Sequence, residues 1–221
     1  MNTSYILLEN ASRRYEMGES SVEALKYATC AVRPKDRVAL VGPSGSGKSS
    51  LLHIMAGLDM PTSGVVTWPL LGNRESLRPS QIGFIPQSQS LVTSLNTIEN
   101  IALPLVLVGR SFEDARETAQ ELIIQLGLAG IAEKLPDELS GGQLQRAAAA
   151  RALIAGPKVI LADEPTGQLD HFTADHFLHV LFEYLKGTDT ALVIATHDME
   201  VAERMDKKWE MNFGTLEVLP E

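Results

Sequence analysis

The stretch Val38-Ala-Leu-Val-Gly42-Pro-Ser-Gly-Ser-Gly-Lys-Ser49, VALVGPSGSGKS, couples an apolar run to a glycine-rich turn that ends in lysine and serine. Its last eight residues match the phosphate-loop pattern G-x-x-x-x-G-K-[ST] position for position. The context also fits, because an apolar strand precedes the loop and an apolar helix, Ser50-Leu-Leu-His-Ile-Met-Ala56, follows it. Glycines let backbone N–H groups converge on phosphate oxygens, and the helix presents its positive end to the same anion. Lys48 adds a mobile charge for the β and γ phosphates, and Ser49 offers a hydroxyl to Mg²⁺. A merely flexible glycine turn would not need this strand and helix on either side.

Outward from the loop, three more continuous apolar runs read as buried parallel strands: Gly83-Phe-Ile85, Val159-Ile-Leu-Ala162 and Ala191-Leu-Val-Ile-Ala195. Continuity, as opposed to alternation, is the mark of a sheet covered on both faces. Helical patterns lie between the runs, so the fold class is α/β: a phosphate-loop NTPase core with a mainly parallel sheet. Residues 4–35 carry shorter alternating stretches and predict an antiparallel β subdomain at one edge. Between Gln87 and Ser140 the pattern is helical, with Ser111 as a cap and Leu122, Ile123 and Leu126 at helical spacing up to Gly127. This predicts an inserted helical subdomain over about 88–150, with the core at about 1–87 and 151–221 of one 221-residue domain.

Two further strand ends carry chemistry. Val159-Ile-Leu-Ala-Asp163-Glu164 places two carboxylates where a buried strand meets the phosphate end of the sheet. Asp163 is the candidate ligand for Mg²⁺, and Glu164 the candidate general base that polarises the attacking water. At Ala195-Thr-His197-Asp198, His197 is placed to contact the γ-phosphate. Gln87, after Gly83-Phe-Ile-Pro86, is a candidate for Mg²⁺ or the water. Tyr15 is either a base-stacking aromatic or an ordinary edge-strand residue.

Leu139-Ser-Gly-Gly-Gln143 opens an alanine-rich helix, QLQRAAAAR, whose start exposes backbone N–H groups and whose alanines bury little area. A bare helix N-terminus is an anion site. Taken with the other motifs in their order, the chain resembles the nucleotide-binding subunit of ATP-binding cassette (ABC) transporters over essentially its full length. The resemblance identifies Gly42, Pro43, Ser44, Gly45, Ser46, Gly47, Lys48, Ser49 and Ser50 with the Walker A loop and its helix, and Gln87 with the Q-loop. Ser140, Gly141, Gly142 and Gln143 fall in the signature, Asp163 and Glu164 in Walker B, Gly167-Gln-Leu-Asp170 in the D-loop. His197 matches the switch histidine and Tyr15 the adenine-stacking aromatic.

By this resemblance the cofactors are ATP and Mg²⁺, the latter at Ser49, Gln87 and Asp163. The partners are a second copy of the chain, whose signature would cover the first copy's ATP, and an integral membrane permease subunit docking near residues 87–104. The chain would sit peripherally on the cytoplasmic face of the membrane. Gly57-Leu-Asp-Met-Pro-Thr-Ser-Gly64, Glu99-Asn-Ile-Ala-Leu-Pro104 and Thr166-Gly-Gln-Leu-Asp170 resemble the lipoprotein-release, macrolide-export and haem-export ATPases. Gln168 in the D-loop, Pro86 before Gln87 and the short segment from Val65 to Ile82 depart from that pattern.

Composition bounds the remaining classes. A net charge of −9 argues against nucleic acid as a partner, since such binders are usually basic. The one cysteine, Cys30, excludes an internal disulfide and reads as a small strand residue. No basic leader precedes the first apolar patch, and the longest apolar stretch, Ile101 to Val108, is interrupted by Pro104 and is far below the ~20 residues of a membrane span. A soluble ABC ATPase of translation or DNA repair is the main competing class, but it would bring a second cassette or a long coiled coil. An unrelated phosphate-loop kinase leaves the LSGGQ run unexplained. His171, His176 and His179 read as solvated helix residues in preference to metal or haem ligands.

Overall fold

The structure, a computed structural model, describes residues 3–18, 20–88 and 91–219. The chain forms β1 (Ile6–Met17), β2 (Ser20–Val32), β3 (Arg37–Val41), α1 (Lys48–Met55), β4 (Ser63–Thr67), β5 (Ile82–Ile85), α2 (Thr97–Leu107), α3 (Phe112–Gln125), α4 (Gly141–Leu153), β6 (Val159–Asp163), α5 (His171–Leu185), β7 (Ala191–Thr196), α6 (Met199–Ala202), β8 (Lys207–Asn212) and β9 (Thr215–Val218). Among the described residues, nine strands make one sheet in the order β4-β1-β2-β9-β8-β3-β7-β6-β5. The five strands from β8 to β5 are mutually parallel, whereas β1 pairs antiparallel with β2 and β4.

The four apolar runs are four of these five parallel strands, β3, β5, β6 and β7, and register explains their continuity. On β6, Val159 and Leu161 join the core around α1, while Ile160 and Ala162 join the core under α2 to α5. On β7, Ala191, Val193 and Ala195 face the first core and Leu192 and Ile194 the second. With a side-chain period of two, a strand covered on both faces has no position left for a polar residue. Cys30 is buried in the first core, which pushes its thiol above the ordinary range.

Two expectations change. The N-terminal strands are long, 12 and 13 residues, and their sheet recruits β4 as well as the C-terminal hairpin β8–β9, neither of which carries an apolar run. In β8 only Trp209 and Met211 are buried, so the strand shows alternation over a short length with two lysines at its start. The alanine-rich helix is also a core helix. Ala147 to Ala150 are all buried, together with Leu144 and Leu153. Small side chains let α4 approach α2, α5 and β5 closely, so the segment stabilises by close packing more than by area per residue.

The connections put function at one edge. The C-terminal ends of β3, β5, β6 and β7 lead into Gly42, Gln87, Glu164 and His197, respectively. Among the described residues, no helix is long and apolar enough to cross a membrane.

Candidate phosphate and carboxylate site

The loop after β3 is held by backbone that only glycine allows. A Cβ on Gly47, at φ +109°, would lie 2.2 Å from the Ala24 carbonyl oxygen, and one on Gly42 would lie 2.2 Å from that of Met211. From the other side, the Gly214 N–H donates to the Ser46 carbonyl at 2.9 Å. The loop is thus clamped between β2 and the β8–β9 turn, partners 18 or more residues away that no local pattern signals. Ser46 Oγ is buried without a hydrogen-bond partner among the described residues.

One cavity of about 260 Å³ gathers Ser44, Gly45, Gly47, Lys48, Ser49, Ser50, Gln87, Asp163 and Glu164. Lys48 Nζ donates to the carbonyls of Gly42 (2.8 Å) and Pro43 (3.1 Å) and lies 3.4 Å from Glu164 Oε1. The other oxygen of Glu164 lies 2.8 Å from His197 Nδ1. Lys48, Glu164 and His197 therefore form one chain from the buried loop to the surface, with side-chain exposures of 6, 10 and 67%. Glu164 has φ +46°, a conformation uncommon outside glycine, held by bonds from its N–H to Ala195 O (2.9 Å) and from Gly167 N–H to its own carbonyl (3.1 Å). That geometry turns the carboxylate out of the strand and toward Lys48.

Asp163 takes the complementary position. Burial pushes its carboxyl above the usual carboxylate range, partly offset by the Ser49 hydroxyl that donates to it and by the charges of His53 and Lys48. Its Oδ1 is buried and has no hydrogen-bond partner among the described residues. A buried carboxylate with an unpartnered oxygen, one hydroxyl beside it and Gln87 on the same cavity is a hard-oxygen donor set of the kind Mg²⁺ uses. Ser49, Gln87 and Asp163 would hold such an ion, which supplies charge neutralisation on the phosphates.

The signature residues do not line this cavity of their own chain. Ser140 caps α4: its Oγ accepts from Gln143 N–H at 3.4 Å, and Gln143 Oε1 accepts from Ser140 N–H at 3.0 Å. The helix start is therefore not fully bare, as its glycines had implied. A reciprocal capping box covers the N–H groups of Ser140 and Gln143; of the two glycines between them, Gly141 is exposed and Gly142 is buried. Gly142 has a second reason to be glycine. A Cβ there would lie 2.2 Å from Thr173 Cγ2 on α5. Asp170 caps α5, accepting from Thr173 N–H (3.0 Å) and from its hydroxyl (2.6 Å).

Gly142→Ala should therefore cost about 1–3 kcal/mol through overpacking, more than the gain of at most ~1 kcal/mol in helix propensity. Thermal unfolding should show a lower Tm, and adding Thr173→Ser, which removes the clashing methyl but keeps the hydroxyl, should restore it. An unchanged Tm in Gly142→Ala would remove packing as the reason for this glycine.

Tyr15 also lies outside the cavity. Its hydroxyl donates to Asp59 Oδ2 at 2.8 Å, and Arg13, which donates to the same oxygen, sits 4.5 Å from the ring centroid. His53 packs against Phe84, and His176 and His179 are exposed on α5. His171 lies 3.2 Å from Glu200 on α6.

Residues 25–167 match the family model described as ABC transporter. The lipoprotein-releasing system ATP-binding protein LolD of Legionella pneumophila is 42% identical over 223 residues, covering 98% of each chain. LolD of Paramagnetospirillum magneticum is 43% identical over 225 residues, covering 98% of this chain and 99% of that one. A dimeric structure of a bacterial ABC transporter cassette superposes with TM-score 0.87 at 36% identity, covering 98% of this chain and 99% of that one. A dimeric post-hydrolysis cassette bound to ADP and Pi superposes with TM-score 0.86 at 35% identity over the same shares.

Proposed function

Because the chain belongs to the ABC transporter family, as an ATP-hydrolysing subunit and not as a soluble translation or repair ATPase, we propose that it powers a release or export system of the lipoprotein-releasing kind. Two of its relatives carry that name. The observation that carries the mechanism is the division of the site. Phosphate loop, Asp163 and Glu164 share one cavity, while Ser140 to Gly142 start a helix elsewhere on the same chain.

In this reading two copies meet head to tail, and the Gly141 and Gly142 N–H groups of one reach the γ-phosphate held by Lys48 of the other. Similarity to cassettes solved as dimers supports this. Lys48 leaves the Gly42 and Pro43 carbonyls for the phosphates, Glu164 accepts the proton of the attacking water, and His197 holds the carboxylate through Nδ1. Ser49, Gln87 and Asp163 would hold Mg²⁺, and Tyr15, tethered by Asp59, offers its ring to the adenine. Hydrolysis splits the γ-phosphate off as inorganic phosphate, and its release removes the anion that joins the copies, so the dimer reopens.

The membrane subunit docks beside the segment 87–104. A shallow cavity of about 150 Å³ there lies between Phe84, Pro104 and the guanidinium side chains of Arg78 and Arg151. Attachment of the chain to the cytoplasmic face of a membrane would be peripheral, through that subunit. The test is capture of the partner: tagged Glu164→Gln protein, ATP and Mg²⁺, gentle solubilisation of membranes, and identification of what co-purifies. An integral membrane protein with few spans and a large extracytoplasmic domain is the expected result. A many-span permease would overturn the lipoprotein-release type.

A further inference from the structure

Phe172 is 83% exposed, more than any other large apolar side chain among the described residues. A single exposed aromatic is ordinary in itself. Its position is not, because it sits on the first turn of α5, between the D-loop and the residue that packs on the signature. At about 100° per residue, Ala174 and Leu178 turn toward α6 and the interior, which leaves Phe172 on the opposite, outward side.

The first turn of α5 is mechanically part of the signature. Thr173 Cγ2 abuts Gly142, and Leu169 Cδ2 lies 3.9 Å from where a Gly141 Cβ would be. Whatever Ser140 meets, Phe172 meets the surface next to it. In the two-copy arrangement, on which this inference rests, Ser140 meets the other copy's phosphate loop. Beside that loop lies a second cavity of about 310 Å³, lined by Val41, Pro43, His197 and Met199 together with the ion-paired Lys208 and Glu210. Met199 is 49% exposed at its rim. The cavity shares His197 with the catalytic chain.

We propose that, when ATP closes the dimer, Phe172 of each copy seats in the cavity formed by Pro43, His197 and Met199 of the other. The knob and the hole are neighbours on the chain, since His171, next to Phe172, lies 3.2 Å from Glu200, next to Met199, and a two-fold axis can then exchange both pairs at once. The ring covers the water-exposed side of His197, whose side chain is 67% exposed in the single chain, and shields its bond to Glu164. Closure then both completes the site and dries it.

The test uses the full-length Glu164→Gln protein with ATP and Mg²⁺. Phe172→Cys on one copy and Met199→Cys on another should form an intermolecular disulfide only with ATP; Cys30 is buried and does not compete. Sedimentation should show Phe172→Ala weakening the ATP-dependent dimer by about 10²-fold, because two aromatic rings lose their burial at once, and Phe172→Leu restoring most of it. If Glu164→Gln dimerises but neither effect appears, the seat of Phe172 is overturned and the dimer stands. A disulfide between two Phe172→Cys copies in place of the Met199 pair overturns the receiving cavity. No dimer with ATP at all overturns the two-copy arrangement, and this inference with it.

Discussion

Lys48→Ala is expected to abolish ATP turnover and to remove the stabilisation that nucleotide gives the fold, while leaving the nucleotide-free protein folded. The side chain is 6% exposed and contacts two loop carbonyls and Glu164, so it is a buried cation waiting for an anion. Removing it takes away the charge on the β and γ phosphates. A fall of about 10²–10³-fold in kcat/KM is the scale for one lost transition-state donor, and weakened binding adds to it. The folded state loses less. Glu164 keeps His197 at 2.8 Å, and the loop keeps its clamps at Ala24, Met211 and Gly214.

The two effects separate in a thermal scan. In the native protein, ATP at about 100 times its Kd adds roughly 2.7 kcal/mol, which for a chain of this size raises Tm by about 5–10 °C. Lys48→Ala should melt close to the native protein without nucleotide and should not respond to ATP. A full ATP-induced rise in the variant would show that Lys48 is not the phosphate ligand.

The parts of this site legible in sequence are those whose chemistry is local. Gly42 to Ser49 carries its own strand and helix, and Asp163-Glu164 ends an apolar run, so spacing alone locates both. What spacing could not supply was the reason for particular glycines. Gly142 answers to Thr173, and Gly47 to the Ala24 carbonyl, contacts between residues 31 and 23 positions apart. The capping box at Ser140 is legible in principle, since Ser and Gln stand three residues apart, but the two glycines between them carry the opposite signal of exposed N–H groups. Strand β4 left little trace because three of its five residues are exposed. The tether of Tyr15 to Asp59 joins residues 44 apart, and neither residue type alone implies it.

Glu164→Gln should do the opposite of Lys48→Ala: keep nucleotide, stop its hydrolysis and accumulate a dimer. The amide has the shape of the carboxylate, so the left-handed backbone at φ +46° and its bonds to Ala195 and Gly167 need not change. The amide oxygen can still accept from His197. What it cannot do is take a proton from water, and that loss alone amounts to about 10²–10⁴-fold in kcat. Binding should hold or tighten. In the nucleotide-free chain Glu164 competes with the phosphates for Lys48 across 3.4 Å, in a setting where both groups are nearly buried. Neutralising Glu164 removes that competitor from the loop.

The variant should therefore bind ATP at least as well as the native protein. It should elute as a dimer with ATP and Mg²⁺, elute as a monomer with ADP, and release phosphate at a small fraction of the native rate. Native-rate hydrolysis by Glu164→Gln would exclude Glu164 as the base. His197 would then be the remaining candidate, because it contacts Glu164 directly and its side chain reaches solvent.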